Sequence, residues 1–343
     1  MQRRGGYPPP PGASDLLGLE VSGIVIACAA DVSTFQIGDQ VCALTNGGGY
    51  AEFVAVDARH CLPLPENVGL VDAAGLPESY FTVWSNLFMD AAPAPDARAL
   101  IHGGAGGIGS TAIQLAKALG MHVFTTVGSE ENAAFCTDLG ADQTINYHHE
   151  DFVEIVRDAG QADLILDSIG GDYIARNIKA AAPGGKIVQI GFSAGAKVEI
   201  NLMPVMLKRI CLTGSTLRSR PAAFKAEIAT QLTERVWPLF AKGACRPVTY
   251  QSFPLGDAAA AHRINPRPIC RKGRKLTFRA RIRIYGLVRS GAVSEVPRKG
   301  QRGIRPVARH PSTGDRGGLR NSTARISHTE RYSSLHVIRH AWP

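Results

Sequence analysis

The sequence predicts an α/β protein: a doubly wound parallel sheet, preceded by a small N-terminal β unit and followed by a disordered basic tail. Three observations carry this. Apolar strand-like runs alternate with helical patterns over 99–191, short runs separated by Gly and Pro fill 16–65, and periodicity collapses after Arg263.

In chain order, 19–27 is an apolar run, Gly38-Asp39 turns the chain into 40–44, and Asn46-Gly47-Gly48-Gly49 is a turn before 50–56. Near Val71 the texture changes, and Asp72 caps a helix through Ala73, Ala74 and Leu76 toward Leu87 and Phe88. Then follow a strand over 99–102, a helix over 110–119 ended by Gly120, and a strand over 122–127. A helix over 132–139 ended by Gly140 leads to a short strand over 143–146. Helix 151–157, strand 162–167, helix 173–181 and strand 186–191 continue the alternation, which calls for a parallel sheet. A further helix spans 222–240, with Phe224, Ile228, Leu232 and Val236 on one face.

The 343 residues are 45% hydrophobic and 20% charged, with Gly 37, Pro 21 and Cys 7, which excludes collagen-like, fully disordered and disulfide-scaffold proteins. The net charge of +9 is concentrated at one end. Residues 264–343 hold 19 Lys+Arg against 3 Asp+Glu, a net of +16, which leaves −7 for the first 263. The body is therefore ordinary, and the tail cannot bury enough apolar surface to offset its ordering entropy. No apolar stretch is long enough for a membrane span, and Met1-Gln2-Arg3-Arg4 leads into prolines rather than a signal sequence. Seven scattered cysteines without a C-x-x-C pair read as reduced thiols of a cytoplasmic protein.

The strongest motif is His102-Gly103-Gly104-Ala105-Gly106-Gly107-Ile108-Gly109. Gly104, Gly106 and Gly109 form G-x-G-x-x-G between a predicted strand and a predicted helix. The first glycine permits a tight turn, the second lets amides approach a pyrophosphate, and the third allows close helix–strand packing. The next strand ends Thr126-Val127-Gly128-Ser129-Glu130-Glu131. An acid at the tip would hold a ribose 2′-hydroxyl and select NAD; Gly128-Ser129 leaves room for a 2′-phosphate, yet two glutamates follow at once. On the residues alone the choice stays open. Asp167 ends a strand at the ligand-binding edge of such a sheet, or only caps the next helix.

Tyr7-Pro8-Pro9-Pro10-Pro11-Gly12, Gly18-Leu19-Glu20-Val21-Ser22-Gly23, Gly38-Asp39-Gln40-Val41, Gly47-Gly48-Gly49-Tyr50-Ala51-Glu52 and Leu76-Pro77-Glu78 share one pattern with the glycine loop. Leu166-Asp167-Ser168-Ile169-Gly170-Gly171 and Leu217-Arg218-Ser219-Arg220 belong to it as well. Over residues 1–263 the chain resembles the medium-chain dehydrogenase/reductase superfamily, in its zinc-free quinone oxidoreductase (zeta-crystallin-like) branch, and within it the p53-inducible NAD(P)H quinone oxidoreductase type. The resemblance implies a truncated GroES-like catalytic domain over 1–70, a Rossmann nucleotide-binding domain over 71–221 and a return to the catalytic domain over 222–263. It also implies transfer of a hydride from NADPH, with NADH possible, to a quinone or activated enone without metal, and a homodimer.

By the same resemblance Tyr7 lines the quinone and nicotinamide pocket, and Thr82 touches the cofactor. Gly104 to Gly109 cradle the pyrophosphate, while Gly128, Ser129, Asn132 and Tyr147 sit at the adenosine phosphate. Gly191, Phe192, Ser193, Leu217, Arg218 and Ser219 close over the nicotinamide side. Plainer readings stand beside these: Tyr7 stacked on its Pro-rich turn, Tyr147 a strand-end aromatic, Arg218 and Arg220 a solvated pair. Zinc-dependent relatives place His where Leu19 stands, and a catalytic zinc needs three protein ligands.

Three departures are evident. Asn132 occupies a place where the family usually carries Lys or Arg. The family's chain begins some way before the position of Met1, so the small domain is expected to lack an edge and an active-site Asn. The family's closing strand, approximately Gly-Lys-Val/Ile-Val-Leu, is replaced after Arg263. If both arginines use CGN codons, the codons of Cys270-Arg271-Lys272-Gly273-Arg274-Lys275 read one base later can spell Val-Gly-Lys-Val-Val, so the tail is expected to be translated out of frame. Two other readings follow, an inactive relative of the enzyme and a binder of nucleic acid or acidic surfaces acting through the tail. The tail's irregular aromatics favour neither specific nucleic-acid recognition nor a membrane.

Overall fold

Continuous apolar runs such as Ala99-Leu100-Ile101 and Leu164-Ile165-Leu166 suit strands covered on both faces, and they form the centre of the fold. The computed structural model describes residues 9–90, 93–94, 96–264, 275–279 and 283–288. The strands are β1 (Glu20–Val25), β2 (Gln40–Leu44), β3 (Phe53–Asp57), β4 (Cys61–Pro63), β5 (Arg98–His102), β6 (His122–Val127) and β7 (Gln143–Asn146). They continue with β8 (Ala162–Asp167), β9 (Ala181–Gln189), β10 (Cys211–Gly214), β11 (Thr249–Pro254), β12 (Lys275–Arg279) and β13 (Arg283–Val288). The helices are α1 (Leu70–Ala73), α2 (Pro77–Val83), α3 (Gly107–Ala118), α4 (Glu130–Asp138), α5 (Phe152–Asp158), α6 (Tyr173–Ala180), α7 (Met203–Lys208), α8 (Ala222–Gln231), α9 (Trp237–Ala241) and α10 (Ala258–Ile264).

Six strands form a wholly parallel sheet in the order β10-β9-β8-β5-β6-β7. The chain builds outward from β5 to β7, then crosses back to lay β8 against the other side of β5. That reversal opens a crevice at the carboxyl ends of β5 and β8, where doubly wound sheets bind ligands. One face carries a core of Ile101, Leu166 and Val188 with Ile113 and Leu115 of α3 and Phe81 of α2; the other packs Leu100, Ile165 and Ile187 against Phe152, Ile174 and Ile178. Gly120 and Gly140 take positive φ directly after α3 and α4, which is the left-handed geometry that ends a helix.

Two helices differ from expectation. The helix expected from Asp72 onward is interrupted by Pro77, giving α1, then α2 and a wide turn over Trp84–Phe88. The helix over 222–240 widens over Leu232–Val236, just before Pro238, whose missing N–H cannot serve the preceding turn. Ile228, Leu232 and Val236 are nonetheless all buried. Elements α7, β10 and β11 were not anticipated.

A second sheet has the order β3-β13-β1-β2-β4, and its core gathers Val21, Val25, Val41, Ala43, Val54 and Val56. Two segments of the basic tail take part in sheets although no period marked them. β13 runs parallel between β1 and β3 with Ile284 fully buried, and β12 runs parallel to β11. The rest of the tail and the codon-shifted segment at Cys270–Lys275, apart from Lys275, lie outside the described residues, as does Tyr7.

Candidate functional site

The glycine loop leaves β5 and enters α3. A Cβ on Gly104 would lie 2.1 Å from Thr125 Oγ1, and one on Gly109 would lie 2.4 Å from the Gly103 carbonyl oxygen, so neither position admits a side chain. Gly106 caps α3 without a side-chain acceptor, and the hydroxyls of Ser110 and Thr111 turn back to the Gly107 carbonyl. Among the described residues no backbone carbonyl accepts from the N–H groups of Gly107, Ile108 or Gly109, nor from that of Ala105. A bare loop, aligned donors and the positive end of a twelve-residue helix together suit a pyrophosphate.

The neighbouring strand ends complete the rim. Gly128 follows β6, and Tyr147 Oη stands 2.3 Å from where its Cβ would be, so the Tyr147 ring lies directly over Gly128. Ser129 caps α4 by accepting from the Asn132 amide at 3.3 Å, which places Asn132 in the helix's first turn. Glu130 accepts from Asn146 Nδ2 at 3.2 Å. Asp167, fully buried, is a structural hub: Oδ1 accepts from the amides of Ile169 (2.6 Å) and Gly170 (3.1 Å), and Oδ2 from Asn177 Nδ2 (3.0 Å). Gly191 follows β9 with its Cβ position 3.2 Å from the Ser168 carbonyl. Ser193 Oγ donates to the Ser168 carbonyl at 3.2 Å, and Phe192 is largely exposed.

The segment after β10 is tied to the turn that follows β2 of the other sheet. Arg218 is buried, and its Nε and Nη2 both donate to the Asn46 carbonyl, at 3.0 and 2.7 Å. Lys225 is buried too, donating to Asn46 Oδ1 at 2.7 Å and to the Arg218 carbonyl at 2.9 Å; burial lowers its pKa. Arg218 is thus a strut that fixes the Asn46–Gly48 turn, and Arg220 lies over the Phe224 ring at 4.1 Å. Leu217 is buried beside the strut, and Ser219 Oγ shares a hydrogen bond with Thr216 Oγ1 at 3.2 Å. Thr82 sits half-buried on α2, and no described residue engages its hydroxyl.

The structure also supplies polar residues that the sequence did not single out as site residues: Asn46, His102, Thr126, Asn177, Gln189 and Lys225. His102 opens the glycine motif, Thr126 stands at the end of the next strand and Asn46 precedes three glycines, whereas Asn177, Gln189 and Lys225 carry no local signal. A groove of about 380 Å³ between Asp31–Phe35 and α8 contains none of the site residues.

Residues 1–66 match the family model described as the alcohol dehydrogenase GroES-like domain, and residues 107–234 the one described as zinc-binding dehydrogenase. The quinone oxidoreductase of Mus musculus is 31% identical over 267 residues, covering 76% of this chain and 78% of that protein. The chain belongs to the quinone oxidoreductase family of medium-chain dehydrogenases/reductases. It is an NAD(P)H-dependent oxidoreductase. This family member is similar in fold to the Escherichia coli quinone oxidoreductase solved in complex with NADPH, with a TM-score of 0.68 at 30% identity over 80% of this chain and 86% of that one. The quinone oxidoreductase of Pseudomonas syringae pv. Tomato DC3000 gives a TM-score of 0.69 at 31% identity, covering 80% and 85%. Among its described residues no three His, Cys, Asp or Glu are placed to hold a metal ion, and no helix is long and apolar enough to cross a membrane.

Proposed function

We propose that this oxidoreductase passes a hydride from NADPH to a quinone or a comparably electron-poor enone, without a metal. The observation that carries the reading is the glycine loop, whose crowded Gly104 and Gly109 leave the first amides of α3 open to a pyrophosphate. When bound, the dihydronicotinamide supplies a hydride, and the acceptor takes it up with a proton from solvent, leaving as hydroquinone or saturated ketone. The chain's residues bind and orient. Gly104–Gly109 hold the pyrophosphate, and Gly128 under Tyr147, with Ser129 and Asn132, meets the adenosine end. Gly191–Ser193, Thr82 and the segment braced by Arg218 border the nicotinamide, with Tyr7 in the acceptor pocket. The absence of an acid at Gly128-Ser129 favours NADPH, and neutral Asn132 leaves NADH usable.

The metal-free reading rests on Leu19, which has no ligating atom where zinc-dependent relatives carry His. Cys42 on the adjoining strand β2 is fully buried among apolar core side chains, the setting of a packed thiol. Titrating NADPH and NADH against the fluorescence of Trp84 and Trp237, then following NADPH oxidation by 1,4-benzoquinone with and without a strong chelator, tests all of this. Saturable quenching by NADPH and chelator-insensitive turnover are expected; no saturable response to either nucleotide would sink the reading.

The same reading includes a homodimer. β10 is an edge of the parallel sheet with all four residues exposed, and Met206 and Leu207 of α7 beside it are 68% and 70% exposed. An open strand edge flanked by an apolar helix fits a second copy. Sedimentation should give a dimer that Leu207→Asp weakens; a wild-type monomer at micromolar concentration would reject it.

A further inference from the structure

Beneath the crevice runs a chain of buried polar groups. The Gly103 amide donates to Thr126 Oγ1 at 3.2 Å, Thr126 Oγ1 is 3.1 Å from His102 Nδ1, His102 Nε2 is 2.7 Å from Asn177 Oδ1, and Asn177 Nδ2 donates to Asp167 Oδ2 at 3.0 Å. His102, Thr126, Asn177 and Asp167 are all buried. Directions follow from chemistry. Asn177 spends its amide group on a carboxyl, so its oxygen faces His102, whose Nε2 must carry the proton. Nδ1 is then an acceptor, filled by the Thr126 hydroxyl, whose oxygen takes the Gly103 N–H. Every donor points one way, from the glycine loop after β5 to the carboxyl that shapes the loop after β8. Gln189 Nε2 extends the clamp by donating to the Asp167 and Gly191 carbonyls.

We propose that His102 is a positioning residue for the nicotinamide dinucleotide: as a neutral bridge it ties the loop after β5 to the loop after β8 and so sets nucleotide affinity without touching the nucleotide. This rests on the nucleotide-binding function proposed above. The two loops border opposite sides of the crevice where the sheet reverses. Protonation of His102 would turn Nδ1 into a donor and leave it competing with Gly103 for Thr126 Oγ1. The groups facing His102 are Thr126 from β6, Asp167 from β8, Phe152 from α5, and Asn177, Tyr173 and Arg176 from α6. Both Phe152 and Tyr173 meet the His102 ring edge-on at 4.8 Å, and Arg176 covers the Phe152 ring at 4.2 Å while pairing with Asp151 at 2.9 Å. Burial, with Arg176 contributing, holds the His102 pKa below its ordinary value, against the opposing pull of Asp167 and Asn177, so the neutral bridge prevails at neutral pH.

The test is direct nucleotide binding to the full chain by tryptophan fluorescence. Saturable binding by the wild type is read first; its absence defeats the nucleotide-binding function rather than the role of His102. Thr126→Val, close to isosteric and lacking only the hydroxyl's bonds, is expected to raise Kd about tenfold and to raise KM for NADPH with kcat within about twofold. Thr126→Ser should restore binding. His102→Phe should weaken binding similarly, and combining it with Thr126→Val should add little. Wild-type affinity for NADH, which lacks the 2′-phosphate that titrates near pH 6, should fall as pH is taken below 6.5 toward the depressed value of His102, and that fall should vanish in Thr126→Val. Wild-type Kd in Thr126→Val, or a loss that Thr126→Ser leaves unrepaired, overturns the proposal. Thr126→Val decides it even if His102→Phe does not fold.

Discussion

Asn132 stands in the first turn of α4, held there by the Ser129 cap, where a cation would face any charge at the adenosine end. Asn132→Lys should raise the preference for NADPH over NADH about fivefold, the worth of one exposed charge pair near 1 kcal/mol. Competitive titration with the two nucleotides checks it, and an unchanged ratio places the 2′-phosphate elsewhere. The cysteines offer a second residue-level expectation. Cys42 and Cys245 are buried with thiol pKa values pushed up to about 12, burial also raises that of Cys61 well above its ordinary value, and Cys136 is fully enclosed, whereas Cys211 lies exposed on β10. Brief iodoacetamide treatment at neutral pH, read by peptide mass, should spare those four, and should label Cys211 in the Leu207→Asp protein more than in the wild type, where a second copy pairs along β10. Asp167 shows how far a single residue was legible: its place at a strand's carboxyl end followed from the sequence. Its partner Asn177 is ten positions away on the next helix and has no motif of its own.

Elements were readable where one force dominates. Strands β5 and β8 follow from unbroken apolar runs, β6 and β7 from their place in the strand–helix alternation, and α3 and α4 from their glycine stops. Where a proline competes with a helical period, the break near Pro77 and the widening before Pro238 had to be seen. The contact between α3 and β5 depends on one missing methyl. Gly109→Ala places a carbon 2.4 Å from the Gly103 carbonyl and must push the helix outward, costing about 1–3 kcal/mol and weakening nucleotide binding together. Denaturant unfolding and fluorescence titration read the two effects, and a silent substitution would mean the loop yields freely. At the other end of the fold Lys208 of α7 donates to the carbonyls of Ile178 (3.3 Å), Lys179 (3.0 Å) and Ala181 (2.8 Å), satisfying the end of α6. Lys208→Met should cost about 1–2 kcal/mol on unfolding, with nucleotide affinity unchanged.

At the scale of the whole molecule, two buried histidines make stability depend on pH. His60 Nε2 faces the Ala222 carbonyl at 3.1 Å and joins the small sheet to α8, while His102 lies under the crevice. Burial lowers both folded pKa values below the ordinary 6.5. The unfolded chain therefore takes up protons that the folded chain refuses. Stability is full above pH 6.5 and declines as pH falls from there toward the folded values. Urea midpoints should drop from pH 7.5 to pH 5.5, and His102→Phe should flatten part of that slope. An unchanged midpoint in the wild type would mean neither histidine is held neutral.

Local chemistry sufficed for the parallel sheet, the glycine loop and the family pattern, because each is written in contiguous residues: apolar runs, turn glycines, one strand–loop–helix signature. The tertiary structure alone decided which distant groups meet. The latch of Arg218 and Lys225 on Asn46 spans more than 170 positions, and the relay from Gly103 to Asp167 draws on β5, β6, α6 and β8. The placement of β13 between β1 and β3 is of the same kind. Sequence periodicity records which face of an element is buried, but not its partner across the fold. Directional hydrogen bonds between such partners form only after the sheet order has been set by packing.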